Sequence, residues 1–307
     1  MKDLFKNGLY LMDGGLETTL VYHEGIVLNH FAAFELIEND QGREILKNYY
    51  EQYLKIAKEF KLDFILEAPT WRANPDWVQK LGYPPDKIYQ INKDAIQFMR
   101  EIALENCVDQ KKIIISGCIG PRGDGYNIDQ KMSITNSYMY HRVQISSFAM
   151  ADSDMISALT MNYSEEAIGI ALVAKEVSIP VVISFTVETD GKLPSGESIG
   201  DVISKVDRVT NQYPEHYMIN CAHPEHFKSK LKGETKWKYR IKGIRANAST
   251  KSHAELDASE SLDIGDIEDL ALNYKELKQY LPNLKAFGGC CGTDHRHIHS
   301  ICHTLFE

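Results

Sequence analysis

Short runs of consecutive apolar residues alternate with longer stretches of helical spacing along the whole chain. The runs GLYLMDG (8–14), LDFILEA (62–68), KIIISG (112–117) and DMISALT (154–160) read as strands. So do PVVISFT (180–186), HYMINC (216–221), RIKGIRA (240–246) and LKAFGG (284–289). Between most of them the periodicity predicts helices over 42–60, 86–106, 136–151, 165–177 and 264–280. A strand that is apolar at successive positions has to be covered on both faces, which points to a parallel sheet flanked by helices. Eight such units in 307 residues predict an α/β protein, a closed (β/α)8 TIM barrel forming a single domain over residues 1–307. A doubly wound open sheet is the alternative. Against it, GCIGPRG (117–123), after the third strand, departs from the G-x-G-x-x-G spacing of a dinucleotide-binding turn.

A barrel places its chemistry where strands end and βα loops begin. Those ends carry Asp13-Gly-Gly-Leu-Glu17, Glu67-Ala-Pro-Thr70, residues 117–126, Leu159-Thr-Met-Asn162, Ser184-Phe-Thr186, Asn220-Cys221, Asn247 and Gly288-Gly-Cys-Cys291. Three of the six cysteines therefore fall at strand ends. Cys221 follows the sixth strand and the vicinal pair Cys290 and Cys291 follows the eighth, so only closure of a barrel would let their sulfurs meet.

Composition narrows what those thiols can do. The chain is 43% apolar with a net charge of −9, which suits a soluble globular protein and disfavours nucleic acid or an anionic membrane surface as partner. The one Lys/Arg block, KWKYRIK (236–242), reads as a solvated turn and strand edge. The opening MKDLFKNGLYLMDGG has too short an apolar run for a signal peptide, and no stretch approaches the roughly 18 apolar residues of a membrane span. The expected location is the cytoplasm, where six unevenly spaced cysteines form no disulfide framework and serve as buried apolar groups, metal ligands or reactive thiols. Cys107, Cys118 and Cys302 read as structural. For the other three, burial as small hydrophobes stands beside metal binding. Three thiolates with one open position suit zinc, and a site of that charge favours binding another thiol over activating water. The chemistry it predicts is alkyl transfer to sulfur.

With these residues in place, the chain resembles the homocysteine S-methyltransferase family of zinc-dependent barrels. DGGLETTL (13–20) looks like the family's opening motif and GCIGPRGDGY (117–126) like its G-x-x-GP-x-G loop. ISFTVETDGKLPSGESI (183–199), NCAHPEHF (220–227) and GGCCGTDHRHI (288–298) follow in family order. The resemblance implies Zn2+ on Cys221, Cys290 and Cys291, with no catalytic residue needed beyond that site. It places Asp13, Gly14 and Gly15 beside the amino-acid acceptor and Thr70 in the second βα loop of the site, with Asn220 orienting the zinc loop. The implied partners are a small-molecule thiol acceptor and a methyl donor: S-methylmethionine, S-adenosylmethionine or betaine, with homocysteine converted to methionine. Another thiol or selenol acceptor, and a catalytically silent zinc or redox-sensing binding protein, are the alternatives. One departure stands out: Leu159 occupies the position of a family glutamate that holds the substrate ammonium. Glu67 is a candidate replacement for that charge, and Arg72 and Arg122 suggest a more anionic ligand. Trp71, Tyr126 and Tyr163 are candidates for cation–π contact with the donor, with packing as the alternative. His295, His299 and His303 share one helix face as either a second metal site or a half-exposed stripe, and Glu17 reads as a loop cap.

Overall fold

The fold is described from a computed structural model covering residues 4–5, 8–106, 113–233 and 235–307. Each predicted strand is present. They are β1 (Tyr10–Leu11), β2 (Asp63–Glu67), β3 (Ile113–Ile119), β4 (Met155–Met161), β5 (Val181–Phe185), β6 (His216–Asn220), β7 (Ile241–Ala246) and β8 (Ala286–Gly289). All pair in parallel with their sequence neighbours, and β1 returns to β8 through Tyr10↔Ala286 and Leu11↔Phe287, closing the barrel. The doubly wound alternative is thereby excluded. Cys107 lies outside the described residues, as does Lys112 at the start of the third predicted strand.

A helix follows each strand: α1 (Asp40–Glu59), α2 (Lys87–Asn106), α3 (Ile134–Met150), α4 (Ser164–Glu176), α5 (Ile199–Thr210), α6 (Pro224–Phe227), α7 (Ile267–Tyr280) and α8 (His295–Phe306). Their starts are set by side chains that take up the free amide groups of the first turn. Asn39 caps α1, Ser133 caps α3, Ser198 caps α5 and Asp266 caps α7. Asp294 caps α8, with its carboxylate held far below its usual range by His297 and Arg296 against the opposing effect of burial. These caps lie at the mouth where strands hand over to helices, so they also pin the loops that carry function.

The core has two layers. Apolar side chains on the outer strand faces pack under the helices, while Ile65, Ile114, Met155, Val182 and Met218 fill the barrel interior. Phe5 plugs the bottom, its ring 4.3 Å from that of His216 and 5.0 Å from that of Tyr10. Burial drives His216 well below its ordinary pKa, so it sits there as a neutral ring. With Phe5 at the bottom, the barrel opens into a cavity at the C-terminal ends of the strands.

Helices α3 and α4 approach closely because Gly169 offers no side chain at their crossing. A Cβ there would fall 2.6 Å from the backbone nitrogen of Tyr138, which cannot swing away. Gly169→Ala is expected to lower unfolding free energy by about 1–3 kcal/mol, read as a lower urea midpoint with unchanged slope.

Candidate metal centre and substrate pocket

A cavity of about 330 Å³ opens at the C-terminal mouth and is lined by all three strand-end cysteines. Their sulfurs lie within 4.8 Å of one another, and this is the single group of three or more metal-ligating side chains among the described residues. Cys221 and Cys290 are joined as a disulfide, with Cα atoms 5.3 Å apart, while Cys291 is a free thiol. This is one bridge at the barrel mouth and not a disulfide framework, since Cys118, Cys291 and Cys302 are free. Closure of the barrel brings the ends of β6 and β8 together, and the same convergence that would serve a metal lets two of the sulfurs bond.

Local backbone geometry aims the sulfurs. Cys221 adopts a left-handed conformation, φ 53°, which a side-chain-bearing residue takes up only when its surroundings demand it. The Asn220 amide supplies that demand. Its nitrogen donates to Cys221 Sγ at 3.2 Å and to Thr160 Oγ1 at 2.9 Å. Its oxygen accepts from Thr160 N at 2.9 Å and Ser184 Oγ at 2.6 Å. Asn220 therefore links β4, β5 and β6 and directs a donor at a sulfur, as an orienting group should. On the other wall, Cys290 donates its N–H to Ala246 O at 2.8 Å, and Thr293 Oγ1 donates to Cys290 O at 2.7 Å. Gly292 turns the chain at φ +79°, a conformation open to glycine without strain. His253 closes the rim, its Nε2 2.6 Å from Cys221 O and its Nδ1 3.1 Å from Glu188, with its ring stacked 3.9 Å from that of Tyr126.

Below the sulfurs lies a buried charge cluster. Arg245 is only 7% exposed; it forms an ion pair with Asp13 Oδ1 at 2.7 Å and with Glu67 Oε2. Its remaining donors reach Gly14 O and Gly289 O, both at 3.1 Å. Burial alone would lower the arginine pKa, but the two carboxylates outweigh it and raise the pKa. Glu67 is raised by burial and by Asp13, with Arg245 opposing. Tyr49 donates to Asp13 Oδ2 at 2.9 Å, completing the cluster.

Asp13, Gly14, Gly15 and Glu67 therefore line the cavity as the sequence suggested, together with Trp71, Tyr126 and Leu159. Thr70 does not. It is fully buried, and its hydroxyl is tied to the backbone of Cys118, donating to the carbonyl at 2.8 Å and accepting from the amide at 3.1 Å. Tyr163 is likewise occupied elsewhere, accepting from Met132 N at 3.1 Å, and Arg122 pairs outside the cavity with Asp76 at 2.8 Å. Of the C-terminal histidines, His299 meets Glu59 at 3.3 Å and His303 meets Glu307, both exposed, so they gather no third ligand. Cys118 and Cys302 are buried. Arg245 and His253 escaped sequence reading. A lone arginine in the apolar run RIKGIRA was the signal for the first; nothing local marked the second.

Fold and site together define a (β/α)8 barrel enzyme with a sulfur cluster at its catalytic mouth. The chain belongs to the homocysteine S-methyltransferase family, whose model matches residues 10–305, and it is a methyltransferase of that type. It is 23% identical to Homocysteine S-methyltransferase 1 of Arabidopsis thaliana over 325 positions, spanning 99% of this chain and 96% of the relative. Its identity to the enzyme of the same name from Brassica oleracea var. italica is 22%, with the same coverage of both chains. Among solved structures, the metallated form of the homocysteine methyltransferase MmuM from Escherichia coli superposes with a TM-score of 0.73 at 16% identity, covering 97% of this chain and 96% of that one. Its oxidized form gives 0.74 at 16% identity, covering 96% of each. At that identity the likeness establishes the fold.

Replacing Arg245 by methionine would leave Asp13 and Glu67 buried without their cation. Arg245→Met is expected to cost about 3–5 kcal/mol near neutral pH. Loss of the guanidinium raises the folded-state pKa of Glu67 further above its unfolded value, so the cost is smallest at or below the unfolded pKa. It grows as pH rises through the folded pKa. Urea unfolding at pH 5 and pH 8 should show the variant closer to wild type at pH 5.

Proposed function

We propose that this protein is a zinc-dependent S-methyltransferase that methylates homocysteine to methionine, using a sulfonium or quaternary ammonium donor. The observation that carries the reading is the meeting of Cys221, Cys290 and Cys291 within 4.8 Å at the mouth of the barrel. The donor set fits zinc: three soft sulfurs on two rigid strand ends, one of them oriented by an amide donor, opening onto a cavity with room for a fourth ligand. Holding a metal requires the Cys221–Cys290 pair to be reduced. When bound, zinc stabilises a substrate thiol as thiolate near neutral pH without quenching its attack on carbon.

The protein's own groups do the rest. The thiol proton leaves to solvent at the open mouth, and the thiolate sulfur bonds to the methyl carbon. The carbon–sulfur or carbon–nitrogen bond of the donor breaks, and its electron pair stays on the departing neutral sulfide or amine. Charge is thus consumed in the transfer, so no side chain has to act as acid or base. What the chain supplies is orientation and exclusion of water. Trp71 and Tyr126 line the cavity and offer faces to a cationic methyl group, which fits S-methylmethionine, S-adenosylmethionine or betaine. The buried ion cluster of Arg245, Asp13 and Glu67 forms a rigid floor. We further propose that residues 1–307 act as one domain, with small molecules as the partners. No helix among the described residues is long and apolar enough to cross a membrane.

Reduced protein is expected to bind one zinc per chain and to form methionine from homocysteine and at least one of the three donors. Cys221→Ala should lose stoichiometric zinc and essentially all transfer, while Cys302→Ala, in the core, should keep both. Undiminished zinc binding by Cys221→Ala would sink the site assignment. Absence of methyl transfer to any small thiol would sink the activity.

A further inference from the structure

Among the described residues, two charged side chains around the cavity are neither ion-paired nor exposed. Asp13 and Glu67 share Arg245. Asp263 pairs with Lys251 at 3.0 Å, and His253 meets Glu188. Asp124 and Asp257 have no ion-pair partner among the described residues but are exposed, Asp124 also accepting the amides of Tyr126 and Asn127 at 2.8 and 2.9 Å. Glu17 and Arg72 remain. Both line the cavity, and neither has an ion-pair partner within 4.0 Å among the described residues, including each other.

Each is held in place by the fold. Arg72 is 5% exposed and clamped between indoles, its guanidinium carbon 4.0 Å from the Trp71 and Trp77 rings. Nη1 donates to Gly123 O at 2.9 Å, and Nε has no acceptor. Burial pushes this arginine down to about 10, against the pull of Asp124 and Glu17, which marks a cation short of a close counter-charge. Glu17 lies on the short helix Leu16–Thr18 after Gly14 and Gly15, on a loop packed against the sulfur-bearing one. Gly15 N donates to Thr293 O at 3.0 Å, and Gly292 N donates to Thr18 Oγ1 at 3.3 Å. Its carboxylate is raised by burial and by Asp13, with Arg245 and Arg72 opposing.

We propose that Glu17 and Arg72 read the two charges of an α-amino acid acceptor, Glu17 taking the ammonium and Arg72 the carboxylate, while the acceptor thiol faces Cys221, Cys290 and Cys291. This rests on the function proposed above and names the groups that set its substrate class. It also answers the loss of a carboxylate at Leu159. A buried ammonium needs a counter-charge. Glu67 already spends one oxygen on Arg245, whereas Glu17 has no ion-pair partner among the described residues. The planar guanidinium, fixed between two rings, presents paired donors to a carboxylate with little ordering left to lose.

The test is calorimetric titration of reduced, zinc-loaded protein with three thiols: homocysteine, 4-mercaptobutanoate, which lacks the amine, and 3-aminopropane-1-thiol, which lacks the carboxylate. Glu17→Gln should weaken homocysteine and the aminothiol by about 10-fold or more and leave the mercaptoacid unchanged. Arg72→Gln should do the reverse, weakening homocysteine and the mercaptoacid while sparing the aminothiol, with zinc stoichiometry kept. Should Arg72→Gln not fold, Arg72→Lys is read instead; it keeps the charge but not the fork, and should weaken homocysteine more than the aminothiol. Equal losses on all three thiols, or none, overturn the assignment. If wild type binds homocysteine and both variants match it, the methyltransferase reading stands and this one falls. If wild type binds none of the thiols, both fall.

Discussion

The buried contact between Arg245 and the carboxylates of Asp13 and Glu67 ties together the part of the barrel that is otherwise weakest. β1 has only two residues, so the ladder that closes the ring through β1 and β8 offers few backbone hydrogen bonds. Arg245, on β7, reaches Asp13 and Gly14 beyond β1, Glu67 on β2 and Gly289 on β8. One side chain thus spans the seam where closure occurs. Its desolvation is tolerable only because every direction it faces offers an acceptor, and the two carboxylates are tolerable only because it is there. The loops carrying Asp13 and Cys290 take their positions from this arrangement.

Asn220 plays the corresponding part on the opposite wall. It uses both ends of one amide to join β4, β5 and β6, and spends a donor on the Cys221 sulfur. Thr160 and Cys221, both in left-handed backbone conformations, are held by that amide. Two rigid walls, each stabilised by a buried polar hub, therefore deliver sulfurs from separate strands to one point. Such an assembly suits a catalytic metal, where ligand positions must not drift as substrates come and go.

The cavity combines features that answer to different parts of a reaction. Sulfurs sit at the mouth, aromatic faces at the wall, a buried ion cluster at the floor, and the unpaired Glu17 and Arg72 beside them. Family membership accounts for the sulfurs. Leu159 puts no charge on the cavity wall, and Glu17, from a neighbouring loop, is the carboxylate proposed to meet the acceptor's ammonium. Either loop could serve, because an ammonium senses the local potential and not the strand from which it comes.

Consecutive apolar positions and helical spacing revealed all eight strands and the major helices, because burial pattern is a local property repeated along the chain. The same reading located Cys221, Cys290 and Cys291 at strand ends, since a parallel barrel leaves few other places for chemistry. Thr70 shows where that logic stops. Its position in a βα loop was correct, but its hydroxyl turned to the backbone of β3, a choice made by packing between strands. Pairing of charges was equally hidden. Asp13, Glu67 and Arg245 are far apart in sequence, and nothing local shows that one arginine pairs with both acids while Glu17 and Arg72 have no ion-pair partner among the described residues. Element type and the candidate thiols were determined by sequence, through periodicity and residue chemistry. Which charges meet, which remain free and whether the sulfurs converge were decided by the closing of the barrel, because only closure sets distances between distant residues.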